Sequence, residues 1–464
     1  MATEDDSRNQ SVTNFYKDSV VLITGGTGFV GKVLIEKLLR CFEVSRIYLL
    51  VREKKNAKAK ERLRGIFDEP IFEVIKKSNA TALSNVIPID TDFEQDQIIS
   101  EHDRELLLTE VTVVFNVMAS VKFNENIETA LDTNVTCSKK LFDMVGEMTH
   151  IKSIVHVSTF YSNCDRACIE EQIFDDIPFG GHENILGIFT HLRKHQKKQL
   201  TPFILDKMPN SYTFSKKCAE VMIQQRYSHL PIAIFRPPIV ISAYREPVPG
   251  WVDNFNGIAG MCIPLTQGNA YFARGEPDFP SHSVPVDYCV AALIAVGADP
   301  KAVPGENVPV YNFATESNSV RWGEYARLIA TGCQSRLGKI FGRYAIGVTN
   351  SRIFRFLFVR WFLLQAFVAD LLLLLAGNKR RNLTMAKRVL ALEEAACYFA
   401  LHKWTFRNDN MWRILNGLSD KERKLLDFDI DQLNWKDYFR NFLPGIRAAL
   451  DRSIQRRKSF GASG

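Results

Sequence analysis

Short apolar runs alternate with stretches of helical periodicity over the first half of the chain. Val20–Thr24 is an apolar run that ends in glycines, and apolar residues then recur at helical spacing from Lys32 to Arg40. Similar runs follow at 46–51, 85–89, 111–117, 153–158 and 232–236, with helical patterns at 96–108, 125–148 and 212–227. Because parallel strands need crossover connections, this alternation predicts a doubly wound α/β domain with helices on both faces of a parallel sheet.

A glycine-rich turn joins the first predicted strand to the first predicted helix. In the sequence TGGTGFVG, the first, third and fourth glycines are spaced three residues apart. Glycine lets the backbone turn tightly and approach a pyrophosphate, while the helix N-terminus faces the negative charge. An ordinary glycine-rich turn is the alternative, but the strand and helix context favours a dinucleotide site. Its expected residues are Thr24, Gly25, Thr27, Gly28, Phe29, Val30 and Gly31.

Arg52 stands at the end of the second predicted strand. A Rossmann-type domain that prefers NAD carries an acidic residue about 20 residues after the glycine loop, where it binds the ribose 2′-hydroxyl. An arginine at this position suits a 2′-phosphate instead. The sequence therefore predicts NADPH over NADH. The alternative is that Arg52 is a solvated member of the basic stretch REKKNAKAK, in which Glu53 lies beside it.

Tyr212 and Lys216 are spaced to project from one face of a helix. Tyrosine is a poor acid near neutrality unless a neighbouring cation lowers its pKa, and Lys216 is placed to do so. Thr159 follows the fifth predicted strand and offers a hydroxyl that could orient a substrate carbonyl. We expect a hydride-transfer site in which Thr159 positions the substrate and Tyr212 donates the proton. Lys216 would tune Tyr212 and hold the nicotinamide ribose.

With these motifs the chain resembles the extended short-chain dehydrogenase/reductases. More narrowly, it resembles the animal, particularly arthropod, fatty acyl-CoA reductases, which are related to the plant male sterility proteins. The resemblance extends from residue 15 to about residue 450. Its matching segments are TGGTGFVGKVLIEKLLR, HVSTFYSN, YTFSKKCAE, PGWVDNFNG, VPVDY, WTFRNDN, FDIDQLNWKDYFRN and GIR.

This resemblance implies an activity and further site residues. The enzyme would reduce a long-chain fatty acyl-CoA to a primary alcohol with NADPH, releasing CoA through a thiohemiacetal and an aldehyde that stays bound. Asp92 and Phe93 would lie at the adenine, Asn116 and Ala119 near the dinucleotide, and Asn134 in a helix that supports the active site. Two alternatives stay open: a reductase or epimerase that acts on a sterol or sugar nucleotide, and a binding scaffold whose chemistry has lapsed.

The later part of the chain predicts additional domains. The sequence after about Pro237 is rich in glycine and proline, which predicts a smaller substrate lobe. Helical periodicity returns after about Arg352. In chain order, we expect a short N-terminal extension, a Rossmann catalytic domain with elements of the substrate lobe, the rest of that lobe, a C-terminal helical domain and a short basic tail. The long insertion before Tyr212 would form a cap. The expected boundaries are 1–17, 18–290, 291–352, 353–450 and 451–464.

Residues 361–377 form the most hydrophobic stretch, which is shorter than the ~20 residues needed to span a bilayer. It also contains Gln365 and Asp370. An interfacial helix or shallow hairpin on a membrane is the preferred interpretation, and a buried core helix is the alternative. The enzyme would then sit on the endoplasmic reticulum or peroxisome membrane with its catalytic domain facing the cytosol.

Composition narrows the partners. The net charge of +7 is modest, and Lys and Arg are mixed with Asp and Glu, so nucleic acid is a poor candidate. Nine cysteines occur without CxxC pairs, and the N-terminus lacks the pattern of a signal peptide. These features predict a reduced, cytosol-facing protein with no metal site. The oligomeric state is not predicted.

Overall fold

A computed structural model describes residues 11–54, 57–266, 271–299, 305, 307–314, 317–331 and 346–461. Parts of the expected N-terminal extension (1–10), substrate lobe (267–270, 300–304, 306, 315–316 and 332–345) and tail (462–464) lie outside the described residues. The strands are β1 (Val20–Thr24), β2 (Arg46–Arg52), β3 (Val86–Thr91), β4 (Val113–Asn116), β5 (Ser153–Val157), β6 (Cys168–Ile169), β7 (Ile232–Arg236), β8 (Ile239–Ile241), β9 (Tyr271–Arg274), β10 (Ser283–Pro285), β11 (Val310–Asn312), β12 (Ile346–Thr349) and β13 (Thr405–Phe406).

The α-helices are α1 (Val12–Tyr16), α2 (Phe29–Cys41), α3 (Ala59–Phe67), α4 (Glu73–Asn79), α5 (Glu101–Glu110), α6 (Ile127–Leu131), α7 (Cys137–Val145), α8 (His182–Thr190), α9 (Lys194–Leu205), α10 (Ser211–Tyr227), α11 (Ile258–Met261), α12 (Ile263–Thr266), α13 (Val286–Gly297), α14 (Trp322–Thr331), α15 (Arg352–Leu375), α16 (Asn382–Leu401), α17 (Asp409–Gly417), α18 (Asp420–Leu425) and α19 (Trp435–Gly461). Short 3-10 turns occur between several of them.

Seven parallel strands form the main sheet, in the order β11-β7-β5-β4-β1-β2-β3. Thr24 at the end of β1 lies beside Leu50 of β2 and Asn116 of β4. The side chains of β4, β5 and β7 are buried throughout, as expected of parallel strands covered on both faces. The predicted doubly wound α/β fold is confirmed. The edge strand β11 was not predicted from the sequence.

The long helix predicted at 125–148 is interrupted. α6 and α7 flank a π-helical turn at Asp132–Thr136, in which Asn134 is fully buried. A π turn carries an extra residue per turn, so it rotates the following side chains relative to a regular helix, and such turns are frequent at functional sites. Here the turn brings Asn134 to a position where it bridges two segments, as described below.

The chain divides into two compact units, and each is discontinuous in sequence. Unit 1 comprises Met1–Pro238, Val286–Thr315 and Trp404–Ile430, and it contains the seven-stranded sheet. The third of these segments joins unit 1 through β13, which pairs with β6 in the insertion between β5 and α10. Phe406 stacks on Phe160 with ring centroids 4.0 Å apart. A segment near the C-terminus thus supports the turn that follows β5.

Unit 2 comprises Ile239–Pro285, Glu316–Lys403 and Asp431–Gly464. Within it α15 and α16 pack side by side and run in opposite directions. Asp370, near the end of α15, accepts hydrogen bonds of 2.8–3.0 Å from the backbone N–H groups of Arg381, Asn382 and Leu383 at the start of α16. Asp370 is therefore a cap that satisfies orphan donors of α16, a role that its place in an apolar run did not suggest.

Residues 361–375 of the apolar stretch predicted at 361–377 belong to a longer helix. α15 has 24 residues and is the one described helix that is long and apolar enough to cross a membrane, by length and composition only. It is not a buried core helix, because only 17% of its most apolar window is buried. Phe358, Phe362 and Asp370 are buried, whereas its exposed apolar residues include Ile353, Phe356, Leu357, Leu364, Leu372 and Leu375.

Candidate active site

The predicted site residues of unit 1 gather at one edge of the main sheet. The glycine loop follows β1, Arg52 ends β2, Asp92 follows β3, Asn116 ends β4 and Thr159 follows β5. The strand order reverses between β1 and β4, so this edge is the topological switch point of the sheet. Ligands of doubly wound folds bind at this point, beyond the carboxyl ends of the strands.

The glycine loop has the geometry of a phosphate cradle. Gly25 has φ +69°, and a Cβ there would lie 2.7 Å from the backbone N of Met118. A Cβ on Gly31 would lie 2.4 Å from the carbonyl oxygen of Gly25. The loop is closed by a 2.9 Å hydrogen bond from the N–H of Gly28 to that carbonyl. The residues present therefore fit a dinucleotide, whose phosphates would face the open loop and the N-terminus of α2.

A buried polar network lies beneath this loop. Thr24 Oγ1 donates to Asn116 Oδ1 at 2.6 Å, and Asn116 Nδ2 lies 3.1 Å from Ser138 Oγ and 3.0 Å from His156 Nδ1. Because Asn116 donates, Nδ1 of His156 accepts and the ring is neutral with its proton on Nε2. Burial, together with the charge of Lys216, holds the pKa of His156 well below its ordinary value.

His156 should make the protein sensitive to acid. Its folded-state pKa lies below its unfolded value, so below about pH 6.5 the unfolded chain binds a proton that the folded chain excludes. Its contribution to stability is present above that pH and declines below it by up to about 1.4 kcal/mol per pH unit. Urea unfolding at pH 7.0 and 5.5 measures this slope. We expect His156→Gln to show a shallower slope, and equal slopes would contradict the assignment.

Arg52 has a cationic neighbour that sequence analysis missed. Arg62 on α3 donates from Nη1 to the carbonyl oxygen of Arg52 at 2.5 Å and from Nη2 to Thr27 Oγ1 at 3.1 Å. Burial lowers the pKa of Arg62, and the charge of Arg52 lowers it further. Two arginines beside the phosphate loop repel each other unless an anion lies between them. This arrangement suits a phosphorylated ribose.

The remaining predicted cofactor residues lie in the loops after β3 and β4. Asp92 accepts the N–H of Glu94 at 2.9 Å in a tight turn, and Phe93 is buried. Ala119 is partly exposed. Asn134 accepts from the N–H of Ser120 at 2.8 Å and donates to Ser215 Oγ at 2.8 Å. Asn134 thus joins the loop after β4 to α10, on the turn between Tyr212 and Lys216.

Thr159, Tyr212 and Lys216 come together at the end of β5. The side chain of Thr159 lies close enough to the hydroxyl of Tyr212 to lower its pKa, and Lys216 Nζ donates to the carbonyl oxygen of Val157 at 2.7 Å. Desolvation raises the pKa of Tyr212 to about 12, and the nearby Thr159 side chain opposes that rise. The lowering that the sequence analysis attributed to Lys216 is therefore corrected to Thr159. Burial lowers the pKa of Lys216 to about 8, against the charge of Glu220.

The geometry is suited to proton donation. With its raised pKa, Tyr212 carries its proton throughout the neutral range, as a donor to a developing oxyanion must. Thr159 is 6% exposed, and its hydroxyl is near the position at which a Tyr212 donor would act. No group of three His, Cys, Asp or Glu side chains that could hold a metal occurs among the described residues.

The chain matches known reductases over most of its length. Two family models, both described as male sterility protein, match residues 23–293 and 361–452, the first being an NAD-binding model. The chain is 35% identical to fatty acyl-CoA reductase wat of Drosophila melanogaster over 438 residues, covering 93% of this chain and 84% of the relative. It is 31% identical to fatty acyl-CoA reductase 1 of Homo sapiens over 448 residues, covering 94% and 85%.

Solved structures agree on the fold. The terminal R domain from the myxalamid PKS-NRPS biosynthetic pathway aligns with a TM-score of 0.61 at 19% identity, covering 93% of this chain and 90% of that domain. The reductase domain of a nonribosomal peptide synthetase from Mycobacterium tuberculosis aligns with a TM-score of 0.58 at 18% identity, covering 97% and 96%.

Proposed function

We propose that this chain, which belongs to the fatty acyl-CoA reductase family, uses NADPH to reduce a long-chain fatty acyl-CoA to a primary fatty alcohol, with release of CoA. The family resemblance inferred from the sequence motifs is confirmed, and the chain is an oxidoreductase with an NAD(P)-binding fold. The observation that carries the finer proposal is that Thr159, which follows β5, lies beside a protonated Tyr212, and that Lys216 on α10 reaches the carbonyl oxygen of Val157 at the end of β5.

The proposed chemistry has two similar halves. NADPH, when bound, supplies the hydride for each. In the first half the thioester oxygen is held by Thr159 and receives a proton from the Tyr212 hydroxyl, giving a thiohemiacetal that releases CoA as its thiol and leaves an aldehyde. In the second half the aldehyde oxygen receives a proton at the same place, giving the alcohol. Each half consumes one NADPH and one proton, so Tyr212 must be reprotonated between them.

We expect kcat/KM to fall above about pH 8. Burial lowers the pKa of Lys216 to about 8, so Lys216 carries its charge below that pH and loses it above. If the charged form is needed, log kcat/KM declines by about one unit per pH unit on the alkaline side. A profile from pH 6 to 10 at saturating NADPH measures this limb. A flat profile up to pH 10 would contradict a role for the Lys216 charge.

A direct assay tests the reaction. Purified chain is incubated with NADPH and a series of acyl-CoAs from medium to very long chain, while NADPH oxidation, free thiol and lipid products are followed. We expect two NADPH oxidised for each CoA released, with alcohol as the product. One NADPH per CoA with accumulating aldehyde would limit the enzyme to the first half-reaction, and turnover only with a sterol or sugar nucleotide would reject the proposal.

α15 supports a second proposal, that unit 2 docks on a membrane surface without spanning it. α15 would extend about 36 Å, enough to cross a hydrocarbon core of about 30 Å. However, α16 runs back along it, and Arg355 near the start of α15 pairs with Glu393 on α16. Because α16 also carries Lys387, Arg388 and Glu394, a crossing would bury these charges in hydrocarbon. An interfacial position avoids that cost.

Vesicle flotation tests this docking. We expect the chain to float with phosphatidylcholine vesicles at high salt, and Leu364→Glu/Leu372→Glu to abolish flotation because these side chains are exposed on α15. Phe203→Glu, at an apolar residue that is 75% exposed on α9, is the matched control and should float normally. Release of the chain by mild salt would contradict apolar docking. Endoplasmic reticulum and peroxisome membranes are the proposed locations, with unit 1 in the cytosol.

A further inference from the structure

Glu220 is a buried carboxylate one helical turn after Lys216 on α10. Its side chain and that of its partner Arg236 on β7 are both 0% exposed. Arg236 donates from Nη2 to Glu220 Oε2 at 2.6 Å and from Nε to Oε1 at 2.9 Å. A buried ion pair gives less stability than its contacts suggest, because both charges lose their hydration. Its position next to the site therefore calls for an explanation other than stability.

The carboxylate of Glu220 also binds the segment that carries Thr159. Ser158 Oγ donates to Oε1 at 2.5 Å, Ser162 Oγ donates to Oε1 at 2.8 Å, and Asn163 Nδ2 donates to Oε2 at 3.2 Å. These donors lie on both sides of Thr159 along the chain. A single carboxylate thus holds both ends of the turn on which the candidate substrate-positioning hydroxyl is mounted, much as supporting hydrogen bonds hold reactive groups in other preorganised sites.

Glu220 also acts on Lys216 through its charge. Burial disfavours the ammonium of Lys216, and the negative charge of Glu220 opposes that effect. His156 on β5, whose pKa the charge of Lys216 lowers, is neutral, and Tyr212, one turn before Lys216 on α10, is protonated near neutrality. Arg236 on β7 faces Glu220. The carboxylate is therefore the group that favours the charged form of Lys216.

We propose that Glu220 is a positioning residue of the active site, which holds the turn around Thr159 and supplies the negative charge that Lys216 faces. The inference rests on the proposed reductase function, since it assigns roles through Thr159 and Lys216. Glu220 itself contacts neither substrate nor cofactor in this scheme. It links two catalytic groups that come from different elements, the turn after β5 and the helix α10.

The test is the pH dependence of Glu220→Gln. Removing the carboxylate charge should move the alkaline limb of kcat/KM down by about one pH unit and lower kcat about tenfold, because the turn around Thr159 loses its acceptor. The dissociation constant of NADPH, measured by fluorescence across the same pH range, should show the same displacement if Lys216 holds the cofactor ribose. Glu220→Asp keeps the charge and should keep the limb in place, with a lowered kcat.

Glu36→Gln is the matched control. Glu36 on α2 is equally buried and pairs with Arg40 at 2.6 Å, so the same substitution removes a buried carboxylate elsewhere and should leave the limb where it is. Loss of activity in Glu220→Gln with an unmoved limb would reduce Glu220 to a structural residue and overturn the proposal. If Glu220→Gln fails to fold, Glu220→Asp provides the test. A wild-type kcat in Glu220→Asp, or a displaced alkaline limb of its pH profile, would overturn the proposal. A wild type that binds NADPH but reduces no acyl-CoA rejects the proposed function, while the NADPH-binding profile still tests Glu220.

Discussion

Tyr212→Phe should lower kcat for acyl-CoA reduction about a thousandfold, within the range for loss of a general acid. The change removes one oxygen from a site where the remaining hydroxyl, that of Thr159, can orient the substrate oxygen but is a much weaker proton donor. The phenyl ring would keep the packing of Phe123, whose ring lies 5.7 Å from that of Tyr212. We therefore expect unchanged NADPH binding and an unchanged unfolding temperature. Steady-state NADPH oxidation with product analysis measures the loss.

Tyr227→Phe is the control for this substitution. Tyr227 ends the same helix, and its hydroxyl donates to Asp143 Oδ1 at 2.6 Å, within the contact between α10 and α7. It removes the same atom from the same helix at a position that the mechanism does not use, so kcat should stay within about twofold of wild type. Should Tyr212→Phe retain more than a tenth of the wild-type kcat, Tyr212 would not be the proton donor.

The fold could be predicted from the sequence where an apolar run is long enough to indicate a strand. Predicted strands agree with β1 to β5 and β7 to within about two residues, since parallel strands covered on both faces are mostly continuous apolar runs. β11 has three residues, too few to show a period. The π turn at Asp132–Thr136 is equally hidden, because its apolar spacing resembles that of the helices beside it. The place of Trp404–Ile430 in unit 1 depends on contacts with residues distant in sequence, such as the pairing of β13 with β6 and the bond from Asn410 to Val310.

The site shows the same division between local and non-local information. The glycine loop, Thr159, Tyr212 and Lys216 could be selected because their order along the chain is itself a pattern. The pKa shifts of these groups could not be predicted, because the spacing of residues along the chain does not reveal how deeply a group is buried. Burial therefore raises the pKa of Tyr212 where the spacing suggested a lowering by Lys216. Glu220 had a readable signal, since it repeats the spacing from Tyr212 to Lys216 on one face of α10.

Arg62 had no comparable signal. It stands in α3 among other charged residues, and its relation to Arg52 appears only when the chain after β2 folds back onto the glycine loop. Its contact with Thr27 then places a second cation beside the phosphate cradle. In the sequence, Arg52 alone favours NADPH, whereas in the folded chain Arg62 is a second cation beside the same loop.

Arg52→Glu should raise the KM for NADPH about thirtyfold, equivalent to about 2 kcal/mol, and change the KM for NADH by less than about threefold. The 2′-phosphate would lose a charge-assisted hydrogen bond and meet a like charge, whereas NADH has no group there to repel. Because Arg52 is exposed, solvent screening keeps the effect below that of a buried pair. Initial rates with each cofactor at saturating acyl-CoA give the ratio of the KM for NADPH to the KM for NADH.

Arg62→Ala should also raise the KM for NADPH relative to the KM for NADH. The increase should be smaller than in Arg52→Glu, because Arg62→Ala removes a charge without introducing a repulsive one. Arg64→Glu is the matched control. Arg64 lies two residues after Arg62 on α3 and is exposed. Its replacement by Glu makes the same change in net charge as Arg52→Glu, but at a position away from Arg52 and Thr27. If Arg64→Glu raised the KM for NADPH as much as Arg52→Glu does, the effect would come from the net charge of the surface. A discrimination confined to Arg52 and Arg62 would instead locate the 2′-phosphate between two arginines that otherwise repel each other.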